Sequence, residues 1–94
     1  MLTFEWDENK NQINQKKHKV SFQEAKTVFF DPYARIIEDR EHSELEERFL
    51  ILGYSKTARL LMVCHCYRDT EEHIRIISAR KANRNEERQY HSLM

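Results

Sequence analysis

Arg75, Arg80 and Lys81 lie within an apolar stretch, IRIISARK (74–81). The chain has no general need of that cluster, because its 16 Lys and Arg balance its 16 Asp and Glu. The chemistry that asks for it is anion binding, above all of phosphate, since a guanidinium is planar, stays charged and reaches two oxygens at once. On a strand, alternation puts His73, Arg75, Ile77 and Ala79 on one face and Ile74, Ile76, Ser78 and Arg80 on the other. Arg75 is then a charge set among apolar neighbours, which is costly without an anion; pairing with a strand carboxylate, or an edge position, also satisfies it. Arg80 falls where the strand gives way to a helix whose first amides offer a second anion site. An ordinary solvated arginine fits the same position.

Histidine titrates near neutrality and so suits proton transfer. His65 lies on the preceding apolar run, and a hairpin across 69–72 sets it opposite Ile76 with Arg75 as a neighbour. A register change of one residue reverses that face, and a histidine satisfied within the sheet fits equally well. The two cysteines flank it in VCHCY. On a strand Cys64 and Cys66 share a face with parallel Cβ directions, which excludes a disulfide between them. His65 points the other way, so the three do not converge on a metal. They read as packing, and no metal or other cofactor is expected.

These residues need elements to hold them. LTFEW (2–6) reads as a short strand, and Asp7 as the N-cap of a helix running to about His18. That helix carries Ile13 as its one strong apolar residue; Lys10, Asn14 and Lys17 recur at helical spacing as a polar stripe. Ser21 and Glu24 form a capping-box pattern for a second helix that Pro32 closes. Three to four antiparallel strands follow, at 34–38, 48–54, 59–68 and 73–80, joined by polar turns. Asn83, with Glu86 three residues on, caps a last helix through Tyr90. The expected architecture is α+β: β-α-α, then a meander and a C-terminal helix, with the helices on one sheet face.

Ninety-four residues make a single domain, residues 1–94. MLTFEWDENK is polar by its seventh residue, so neither a signal peptide nor a membrane span is expected, and the reading is cytoplasmic. Charge is segregated along the chain. Residues 10–19 hold four lysines and no acid, residues 31–47 hold seven acids, and residues 74–94 hold five bases. That pattern suits a nucleic-acid face and a separate surface for another partner, or simply a mixed solvated surface.

Three blocks, FEWDENKNQINQKKHKVSFQEA, DREHSELEERFLILGYS and RIISARKANRNEERQY, resemble the BrnT family in order and over nearly the whole chain. BrnT proteins are the toxin half of a bacterial type II toxin–antitoxin pair. The resemblance implies a RelE-like fold and a metal-independent ribonuclease that arrests translation. It also implies a hetero-oligomer with a BrnA-like ribbon-helix-helix antitoxin, which neutralises the toxin and alone brings it to operator DNA. The matched positions are Trp6, Asp7, Lys10, Asn14, Lys17 and His18; then His42, Ser43, Glu44, Glu47 and Arg48; then Arg75, Ser78, Arg80 and Tyr90. The hairpin CHCYRDTEEHI departs from the pattern by a longer, more acidic connection.

On that resemblance Arg75 and Arg80 hold the scissile phosphate, and His18 or His65 carries the proton. Glu47 and Arg48 serve as base and phosphate ligand, or else as a strand-end ion pair. Lys10, Lys17 and Lys81 meet RNA, with the antitoxin as an alternative for Lys17 and His18 and plain solvation for the whole helix face. Tyr90 stacks a base or donates a proton, or packs its ring on the sheet. The rival reading is a non-catalytic adaptor whose basic ends dock nucleic acid or protein.

Overall fold

The structure is a computed structural model that describes residues 1–39, 41 and 46–92. Strand β1 (Thr3–Glu5) leads into helix α1 (Glu8–His18), and helix α2 (Phe22–Ala25) continues as a 3₁₀ turn, Lys26–Phe30. Strands β2 (Arg35–Asp39), β3 (Arg48–Tyr54), β4 (Leu60–Tyr67) and β5 (His73–Lys81) follow, then helix α3 (Arg84–His91). The sheet order is β1-β5-β4-β3-β2. β2 to β5 form the expected antiparallel meander, while β1 pairs parallel with β5 through Thr3–His73, Phe4–Ile74 and Glu5–Arg75.

The helix starts follow from their caps. Asp7, Ser21 and Asn83 accept from the amides of Lys10, Glu24 and Glu86. Only α3 closes the full box, with Glu86 accepting from the Asn83 amide. Glu24 instead takes hydrogen bonds from Ser55, Thr57 and Arg59 in the β3–β4 turn.

Two apolar layers sandwich the sheet. The inner layer holds Val20, Phe22, Ala25 and Val28 against Ile51, Leu61, Val63, Ile74, Ile76 and Ala79. The outer layer holds Tyr90 of α3 against Leu52 and Met62. The helices therefore do not share one face, because the even-numbered residues of β3 and β4 are apolar too and need their own cover.

Polar α1 reaches the sheet through amides instead of an apolar stripe. Asn11 and Asn14 are buried while Ile13 is exposed. Asn11 Oδ1 accepts from the Phe22 amide. Asn14 donates to the Val20 and Ala79 carbonyls and accepts from the Ala79 amide, closing β5 past the end of β1 as one residue of a neighbouring strand would. Asn14→Leu leaves those three groups without partners and should cost about 3 kcal/mol, read as a lower urea midpoint.

Candidate active site

The side chains on β5 are ordered by a bulge. Cys64 pairs with Ser78 but His65 pairs with Ile76, so Ile77 is an extra residue opposite β4. Strict alternation would part Arg75 from Arg80. With the bulge, Arg75 (opposite Cys66), Ser78 (opposite Cys64) and Arg80 (opposite Met62) all point to the outer face. A bulge re-aims every residue beyond it, and here it lines up the two arginines and a hydroxyl.

Beside them β4 contributes Cys64 and Cys66, both buried and free. Burial pushes the Cys64 thiol up to about 11 and raises that of Cys66. They form a neutral floor. The Glu46 carboxylate beside the Cys66 thiol helps raise its pKa, and the charge of Arg75 is felt at the same sulfur. Arg48 faces Asp39 across β3 and β2 and acts on Cys64. Arg75, Ser78, the two thiols and Arg48 thus share the outer sheet face, with Glu46 beside Cys66.

The cations are not equivalent. Arg80 gives two parallel bonds to Glu86, 2.8 and 2.9 Å, and a third to the Lys81 carbonyl. The partnership lowers the Glu86 pKa and raises that of Arg80. Arg75 is half-buried, and no hydrogen bond or ion pair engages its guanidinium among the described residues. Neighbouring acids are spoken for: Glu5 meets His73 at 2.7 Å and Arg68 at 3.9 Å.

Several candidates fall elsewhere. His65 is fully buried on the inner face, its ring 4.8 Å from that of Phe29 and 5.3 Å from that of Tyr67. Burial pulls its pKa down to about 4. It is a neutral core residue, cut off from Arg75 by the sheet. Tyr90 is buried under the outer layer: its ring lies edge-on to Tyr54, and its hydroxyl donates to Asp31 at 2.6 Å. Burial and the Asp31 carboxylate push its pKa up, and its ring is covered by the fold. Asn14 leaves the Lys10–Lys17 stripe for the interior, while both lysines stay exposed.

His18 ends α1 half-buried, Glu47 and Lys81 are exposed, and His42, Ser43 and Glu44 lie outside the described residues. Glu46 was missed, although its two-residue spacing from Arg48 hinted that both share a face. An acidic cleft of about 460 Å³ shares Glu46 with that face and is walled further by Glu47, Asp69, Glu71 and Arg68. Among the described residues no three His, Cys, Asp or Glu side chains come together to hold a metal, and no helix is long and apolar enough to cross a membrane.

Residues 6–86 match the family described as the ribonuclease toxin BrnT of type II toxin–antitoxin systems. In shape the chain is similar to the 1.1 Å crystal structure of the Brucella abortus ribonuclease toxin BrnT. The TM-score is 0.65 at 21% identity, over 89% of this chain and 100% of that one, a likeness of fold. No curated protein matches the chain.

Proposed function

The chain belongs to the family of BrnT ribonuclease toxins, and on that premise we propose that it is a metal-independent RNA endonuclease whose groove is the outer sheet face around Arg75. The observation that carries the reading is the Arg75 guanidinium: half-buried, over neutral thiols, beside Ser78, and without a carboxylate among the described residues. A half-buried cation without an acid has lost part of its hydration, and an arriving anion makes that good.

In the reaction the ribose 2′ oxygen attacks phosphorus as the P–O5′ bond breaks, giving a 2′,3′-cyclic phosphate and a 5′ hydroxyl. Arg75 takes two non-bridging oxygens in the crowded phosphorane, where a fork of donors gains most. Arg80, oriented by Glu86, and Arg48 add to the positive field. Glu46 draws the 2′ proton, a role the sequence suggested for Glu47. His18 returns a proton to O5′, since His65 has no access. Lys10, Lys17 and Lys81 track the flanking backbone. The protein arrests translation in the cytoplasm through a RelE-like fold, and a BrnA-like ribbon-helix-helix antitoxin both neutralises it and carries it to operator DNA.

The Arg80–Glu86 pair favours a second reading, an RNA-binding adaptor without cleavage, because it engages one of the two arginines. Incubation of a structured RNA with the protein in EDTA separates the two. Fragments ending in 2′,3′-cyclic phosphate, together with growth arrest relieved by co-expressed antitoxin, are expected. Salt-sensitive binding with no product would leave the adaptor.

A further inference from the structure

The sheet treats its two edges differently. At one, β1 is three residues long and Asn14 occupies the amide and carbonyl of Ala79 beyond it. At the other, β2 is five residues long and, among the described residues, pairs only with β3. Its outward amides and carbonyls are a template for another strand. Proteins guard such edges with central charges, prolines or bulges. β2 has instead Ile36 and Ile37 at its centre, 51% and 53% exposed.

The charges sit at the ends, and their order is directional: Arg35 precedes the isoleucines, and Glu38 and Asp39 follow them. A strand that is basic at its start and acidic at its end complements itself when paired antiparallel. We propose that β2 is a dimerisation edge, joined antiparallel to the same strand of a second copy about a twofold axis normal to the sheet. Such an axis keeps the outer face outer in both copies, so pairs must come from matching faces. Centring on Ile37 meets that condition. Ile37 then faces its own copy, Ile36 faces Glu38, and Arg35 faces Asp39 of the partner subunit.

Ile37 and Arg35 already line the rim of a small cleft with Leu52, Met62 and Gln89, so the apolar contact continues into the outer layer. Arg35 donates to the Gln89 carbonyl at 2.6 Å through one nitrogen, which leaves the rest of its fork for the partner. The result is one ten-stranded sheet, twice the five of a single copy, with both Arg75 grooves on the same side.

Sedimentation equilibrium of the full chain over about a hundredfold concentration range tests this without reading cleavage. A concentration-dependent dimer is expected. Ile37→Lys should weaken it by about a hundredfold or more, with the circular dichroism spectrum unchanged. Arg35→Glu should weaken it too, and adding Asp39→Arg should restore it. A single-chain mass at every concentration overturns the proposal. So does a dimer indifferent to Ile37→Lys, or a charge swap that fails to rescue. A single-chain mass with Ile37→Lys instead abolishing capture of a basic antitoxin peptide assigns the edge to a heterologous strand.

Discussion

Replacing Arg75 with alanine lowers RNA cleavage by about a thousandfold or more, while the thermal midpoint moves by no more than about 2 °C. The two halves of this expectation share a cause. No carboxylate among the described residues depends on Arg75, so its removal strands nothing in the fold. What disappears is the fork that meets the phosphorane. Arg75→Lys keeps the charge but not the second donor direction, and should recover only part of the rate. Arg80→Ala behaves otherwise, because it deprives Glu86 of two bonds and loosens α3. Its loss of activity is accompanied by a lower melting temperature. Cleavage at the normal rate by a folded Arg75→Ala variant would remove the groove from the mechanism.

The second large effect concerns stability. Glu24 gathers Ser55 at 2.7 Å, Thr57 at 2.6 Å and Arg59 Nε at 2.9 Å, with a further contact to Arg59 Nη2. The Arg59 guanidinium first, and the hydroxyls with it, pull the carboxyl pKa down to about 2 against a burial that opposes them. Glu24→Gln leaves Arg59 without its counter-ion and should cost on the order of 2–3 kcal/mol, allowing for the partial exposure of the pair. That corresponds to a melting temperature lower by roughly 10–20 °C.

The same residue sets part of the acid limit. The unfolded chain protonates Glu24 near 4.5 and the fold near 2, so its contribution is whole above pH 4.5 and lost as pH falls from there toward 2. His65 acts earlier. The fold holds its ring neutral down to about 4, whereas the unfolded chain takes up the proton at 6.5. Stability therefore declines from pH 6.5 downward, first through the imidazole and then through the carboxylate. Urea midpoints across this range should show both stages. His65→Phe should flatten the upper one alone, and Glu24→Gln the lower one alone.

The elements were legible wherever the signal was local. Asp7, Ser21 and Asn83 reveal themselves by what stands at and after each position, and the strands by apolar runs between polar turns. Pairing of β1 with β5 was not legible, since no pattern within residues 3–5 names a partner about seventy residues away. The bulge at Ile77 was equally silent, and it decides the site: alternation read correctly still parts Arg75 from Arg80 until one residue is stepped over. Asn14 looked like part of a polar helix stripe because composition reports polarity and not the hydrogen bonds that permit burial. Glu24 misled in the opposite sense. Its spacing from Ser21 fitted a local cap, and a longer-range arginine outbid the cap. Tyr90 was ambiguous until Asp31 supplied a partner for its hydroxyl.

The bonding of Asn14 to both halves of Ala79 reaches past stability. It ties the helix bearing Lys10 and Lys17 to the strand bearing Arg75, so the backbone positions that carry these three side chains are fixed relative to one another. If the proposed RNA reading holds, the entropy of orienting that scaffold is met during folding, and encounter depends on long-range attraction more than on rearrangement.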